Sequence, residues 1–235
     1  MATLIFDIET IGEEYDALDE TTQEVLTRWI KSESDSKNEY EAALANLKNE
    51  LGFSPLTGEV VAIGVLDVEK NKGAVFYQSP GTKEKEIEED GIKFKPMSEK
   101  EMLEAFWDGA QQYDEFVSFN GRTFDAPFLA VRSAIHGVRP SCDLLSNRYT
   151  SLQRGVKHVD LRDQLSFYGA MRRPGSLHLW CRAFGIESPK AQGISGDDVS
   201  GLFKAKKYLD IARYNVGDLY ATKALYERWN EYLRF

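Results

Sequence analysis

Along the chain, short apolar runs of strand length alternate with longer stretches whose apolar residues recur at helical spacing. Ala2–Ile8 is mostly apolar with no regular polar alternation, the pattern of a strand buried on both faces. Glu13–Glu50 is polar and rich in Glu, Ala, Leu and Lys, and reads as two surface helices separated at Ser32–Ser36. Beyond a turn-rich loop at Gly52–Gly58, the runs Val60–Asp67 and Gly73–Gln78 predict two strands joined by a hairpin at Asn71-Lys72-Gly73. Lys83–Lys95 is so highly charged that a loop is expected. Ser98 with Glu101 three residues on forms a capping-box pattern, opening a helix that runs to about Tyr113. Phe116–Phe119 reads as a strand, Ala126–His136 as a helix and His158–Leu161 as a last strand leading into a helix. Ser176–Phe184 is a short helix stopped by Gly185, and Lys206–Leu233 is strongly helical. This order predicts an α/β fold with a mixed sheet, in one domain over residues 1–235 with an acidic helical insertion at about 13–50.

Charge alters that picture locally. The formal net charge is −9, which argues against a generic basic nucleic-acid or membrane-surface binder. Yet residues 13–50 hold eleven acids against four bases, whereas residues 132–182 hold nine bases against three acids. The basic stretch suits either an anion track or scattered surface arginines. Two cysteines, Cys142 and Cys181, make no disulfide framework or zinc pair, and reduced cytosolic thiols are expected. The first residues lack a cationic segment, and no apolar run is long enough to span a bilayer. A cytoplasmic protein without a membrane association is the expectation.

Three acidic motifs carry candidate chemistry. Asp7-Ile8-Glu9 lies at the end of the first strand, where residues i and i+2 share a face, so the two carboxylates converge. Acids at a strand end also serve ordinary loop-edge roles. Asn120–Leu129 (NGRTFDAPFL) joins a strand to a helix, and Asp125 near that helix start equally suits the N-terminal dipole. Tyr214 and Asp218 lie at i and i+4 on one helix face. Taken alone, the last pair is also compatible with an aromatic helix face bearing a surface acid.

In combination, DxE, NGRTFDAPFL and YxxxD resemble the three exonuclease motifs of the DEDD superfamily of 3′–5′ exonucleases. The tyrosine marks its tyrosine branch; the histidine branch would place His where Arg213 stands. The likeness is to the predicted 3′–5′ exonucleases related to the proofreading domain of family-B DNA polymerases. It extends to the loop Ser54–Gly58, to His158–Leu161 and to the C-terminal helices. The resemblance implies a ribonuclease-H-like mixed sheet flanked by helices. It implies that Asp7, Glu9, Asp125 and Asp218 hold two divalent ions, Mg²⁺ or Mn²⁺, and hard oxygen donors without His or Cys suit those ions. Tyr214 would orient the attacking water. Asn120 and Phe124 would hold the terminal nucleotide, with Phe124 stacking on or wedging beside a base, and Arg122 and Thr10 would contact phosphate or the terminal sugar.

The implied reaction is metal-dependent 3′–5′ exonucleolytic hydrolysis of single-stranded DNA, and possibly of RNA. It releases nucleoside 5′-monophosphates, and the basic stretch would guide the strand. Against it stands a catalytically dispensable nucleic-acid-binding or accessory subunit of the same fold, with the insertion at 13–50 docking a protein partner. Asp160 is expected to play a structural hydrogen-bonding role. The negative total charge excludes a nonspecific basic binder, but not an enzyme that meets its anion through bound metal and a local arginine track.

Overall fold

The computed structural model describes residues 2–188 and 196–234, which include every candidate site residue. A seven-stranded mixed sheet organises them, in the order β4-β5-β3-β2-β1-β6-β7. Strand β1 (Thr3–Gly12) lies inside the sheet, antiparallel to β2 (Gly58–Asp67) and parallel to β6 (Glu115–Ser118). Beyond β6 lies β7 (Lys157–Asp160), also parallel. On the other side β2 pairs antiparallel with β3 (Lys72–Tyr77), and Asn71 before β3 takes the left-handed backbone of a tight turn.

The charged segment expected as a loop instead contributes two strands. Ile87–Glu89 (β4) and Ile92–Pro96 (β5) form a hairpin whose parallel partner is β3. Its turn is Asp90-Gly91, both at positive φ, the chemistry a two-residue hairpin requires. Ile92 and Phe94 are buried while Lys93 is exposed, so alternation is present beneath the charge. The charges suit a sheet edge, where they discourage pairing with another chain.

Helices cover both faces. On one, α3 (Glu99–Ala110) and α4 (Asp125–Ile135) pack on Leu4, Phe6, Ile8, Phe76 and Phe116. Both halves of the Ser98–Glu101 capping box are formed at the start of α3. On the other face, α8 (Tyr208–Tyr232) lies across Ile5, Ala62, Leu66 and Val75. Helix α5 (Leu161–Leu165), α6 (Leu177–Phe184) and a short α7 (Val199–Lys204), which the sequence pattern did not anticipate, complete that layer. Between β1 and β2 stand α1 (Glu20–Glu33) and α2 (Lys37–Glu50), capped by Asp19 and Ser36. Their surface is mostly exposed, with Ile30 of α1 fully buried. Among the described residues no helix is long and apolar enough to cross a membrane.

Candidate active site

The alternation of β1 sends Leu4, Phe6 and Ile8 into one core and Ile5 and Ile11 into the other. Asp7 and Glu9, in step with Ile5 and Ile11, therefore face α8. The β1–β2 register slips by one residue between Glu9 and Thr10, leaving Val61 as the extra residue of a bulge beside Glu9. Helix α8 arrives with Tyr214, Asn215 and Asp218 on its sheetward side. Carboxylate oxygens of Asp7, Glu9 and Asp218 lie within 4.8 Å of one another.

Asp125 sits beside this triple as the first residue of α4, but its Oδ1 accepts the Ile8 N–H at 3.0 Å. The acid near the helix start thus reaches across to the strand that carries Asp7 and Glu9. Tyr214 hydrogen-bonds Asp218.

Electrostatically the cluster is uncomfortable without a cation. Burial raises the Asp7 carboxyl well above its ordinary range, and the charges of Asp125, Asp218 and Glu9 push it further. Glu9 is raised by burial and by Asp218, against a hydrogen bond from Asn215 that favours its ionised form. Burial takes Asp125 up to about 7, with the Ile8 and Asp125 amides opposing and Asp160 and Asp218 adding repulsion. The Tyr214 phenol is held well above its ordinary value by burial and then by Asp218, Glu9 and Asp7. Three converging carboxylates, Glu9 buried and Asp7 and Asp218 partly buried, offer oxygen donors only, a set that fits a hard divalent cation.

The remaining candidates are arranged around the loop between β6 and α4. Asp160 accepts N–H groups of Asn120, Arg122 and Arg162 at 2.9 Å each, so its carboxylate organises that loop and caps α5. Asn120 adopts a left-handed backbone, and its Oδ1 accepts from Arg162 Nη1 and Thr123 Oγ1. Arg122 spends both terminal nitrogens on the carbonyls of Leu144 and Leu145. Phe124 lies between the rings of Phe53 and Phe128, at 6.4 and 5.5 Å. The Thr10 hydroxyl donates to the Gly52 carbonyl at 2.7 Å. A cleft of about 840 Å³ opens past Thr10 and Phe53 toward Phe203, walled by Glu13, Glu14 and Glu59 and spanned by the Glu14–Lys204 pair.

One contact was not read from the motifs. Asn215 Nδ2 donates to Asp7 Oδ2 at 2.7 Å and to Glu9 Oε1 at 3.4 Å. The sequence signal was Gly64, which interrupts the apolar run of β2 where the strand faces this side chain.

The model for a family of predicted 3′–5′ exonucleases related to the exonuclease domain of PolB matches residues 56–233. The chain belongs to this family. Within the PolB-related exonuclease match lie Asn120–Asp125, Asp160 and Tyr214–Asp218, while Asp7, Glu9 and the inserted helices precede it. Among solved structures the chain is similar to the family B DNA polymerase from the hyperthermophilic archaeon Pyrobaculum calidifontis. The two share 19% identity with a TM-score of 0.58, over 97% of this chain and 24% of the polymerase. At that identity the likeness is one of fold, and it makes this member of the PolB-related family a ribonuclease-H-like α/β protein. The chain spans about a quarter of the polymerase it matches. No curated protein sequence matches it.

Proposed function

We propose that the protein is a metal-dependent 3′–5′ exonuclease acting on single-stranded nucleic acid, with DNA favoured over RNA. The observation that carries this reading is the convergence of Asp7, Glu9 and Asp218, with Asp125 beside them and Tyr214 on Asp218. Those four acids would hold two divalent ions, Mg²⁺ or Mn²⁺, which supply activation of a water and stabilisation of the leaving 3′-oxygen. Tyr214 would orient the water through its hydroxyl; in the metal-free site burial and the neighbouring acids oppose its ionisation.

Phe124 and exposed Phe53 offer rings to the terminal base, and Thr10 borders the cleft beside them. Asn120 would turn its Nδ2 to the terminal nucleotide, since among the described residues its internal hydrogen bonds use Oδ1. Arg122 serves the same end by fixing the loop at Leu144 and Leu145.

Part of the basic stretch suits a strand track. Arg132 is paired with Glu99 and Arg148 with Asp163, so neither is a free cation. Arg154, Arg172, Arg173 and Arg182 are exposed, in a stretch that also holds exposed Tyr149 and Phe167, and this mixture fits a single strand through phosphate attraction and base stacking. Residues 1–235 would act as a single exonuclease domain. The acidic insertion, with Val25 and Trp29 exposed on α1, would dock a protein partner. Both thiols are free, in keeping with a cytoplasmic setting.

The test is release of mononucleotides from matched 3′-ended DNA and RNA strands with Mg²⁺ or Mn²⁺. Wild type is expected to degrade DNA faster, and Asp7→Ala to lose at least about 10²-fold in rate. Cleavage that persists in EDTA or in pure Asp7→Ala protein overturns the reading. Binding of the strand without cleavage under any divalent ion favours the accessory-subunit alternative.

A further inference from the structure

Asn215 is fully buried on α8, and its Oδ1 is a buried side-chain acceptor without a hydrogen-bond partner among the described residues. A fold retains such an uncompensated oxygen where the rest of the group has work to do. The other end of this amide spans two of the clustered acids, donating to Asp7 Oδ2 at 2.7 Å and lying 3.4 Å from Glu9 Oε1. Turning the amide over would set its oxygen against two carboxylates, so their charge fixes its orientation.

The opposing strand leaves room for this side chain at one position. Gly64 pairs with Asp7 across β1 and β2, and a Cβ built on it would sit 1.8 Å from Asn215 Oδ1 and 2.9 Å from Leu219 Cδ1. Any side chain there displaces Asn215 or lifts α8. The orphaned oxygen and the missing side chain are two halves of one arrangement.

We propose that Asn215 is a positioning residue that presets the separation of Asp7 and Glu9 for a divalent cation, in a space that Gly64 keeps open. It touches neither substrate nor leaving group. Its N–H group offsets the repulsion of the two acids before a cation arrives and limits how far each can swing away. This inference rests on the metal reading above and goes beyond it by assigning a residue outside the four acids.

The experiment is calorimetric titration of Mn²⁺ into wild type, Asn215→Leu and Gly64→Ala, without nucleic acid, alongside strand cleavage across a range of Mn²⁺ concentrations. Asn215→Leu keeps the shape and removes both the donor and the orphan acceptor, so its fold is expected to survive. Gly64→Ala leaves the amide intact and removes only its space. Each variant is expected to bind Mn²⁺ about 10–100-fold more weakly, with cleavage largely restored at saturating Mn²⁺. A merely structural role would lower the folded fraction without shifting the metal dependence of the folded molecules. Unchanged Mn²⁺ affinity in Asn215→Leu overturns the proposal, as does a cleavage defect that saturating Mn²⁺ leaves in place. Should Gly64→Ala fail to fold by circular dichroism, Asn215→Leu decides alone. Wild type that binds no Mn²⁺ would instead overturn the metal reading itself, so the two failures are distinguishable.

Discussion

Residues in the carboxylate cluster burden the ion-free fold, because burial and mutual repulsion oppose their ionisation. The folded-state pKa of Asp125 is raised, so in the absence of ions its contribution to stability falls as pH climbs from about 4 to about 7. His158 works in the opposite sense. Its Nδ1 donates to the Leu144 carbonyl and its Nε2 accepts from Ser118, in the neutral form, and burial lowers its pKa to about 4. Its contribution is therefore complete above the unfolded value near 6.5 and is lost as pH falls toward 4. Wild-type melting across this range mixes both trends. Comparison with Asp125→Asn isolates the acid: the variant is expected to gain in Tm over metal-free wild type as pH rises from 4 to 7, and saturating Mg²⁺ to close that gap. By the same logic Asp7→Asn should stabilise the metal-free protein by about 1 kcal/mol while removing cleavage, checked by urea melts and mononucleotide release.

Among the elements, the joint between α3, α4 and β2 depends on one buried acid. Glu99 is held below the usual carboxylate range despite its burial, by Arg132, the Val60 N–H and His136. Glu99→Ala leaves Arg132 partly buried without its partner and is expected to cost about 3–5 kcal/mol in urea unfolding. Local patterns reveal elements unevenly. Convergence of Asp7 with Glu9, and of Tyr214 with Asp218, follows from strand and helix periods and could be read directly. The pairing of Asn215 with Gly64 depends on tertiary approach, which no local period encodes, and only the glycine inside an apolar strand hints at it. The β4–β5 hairpin was hidden because the surrounding Glu and Lys residues outweigh the alternation of Ile92 with Phe94, although Asp90-Gly91 is a hairpin signal. β1 was read only as far as Ile8, since its continuation to Gly12 depends on a bulge in the partner strand.

At the scale of the molecule, ion binding is the clearest handle on the proposed activity. A divalent ion that binds only the folded state adds about 2.7 kcal/mol at a hundred times its Kd, so Mn²⁺ should raise Tm and EDTA should reverse the rise. The inserted helices should respond differently. Trp29→Ala removes an exposed ring from α1 and is expected to change Tm and mononucleotide release little, while weakening any protein partner that docks there.

The hydrogen bond from Asn215 to Asp7 joins residues 208 positions apart in sequence. A folding chain must close that long loop before the acids of β1 meet those of α8, a late and slow class of event. During synthesis, a ribosome-bound chain that has already released β1, the sheet and α4 still lacks Tyr214, Asn215 and Asp218. On the proposed function, hydrolytic capacity is expected only once α8 has emerged, and fragments ending before α8 are expected to be inert toward nucleic acid.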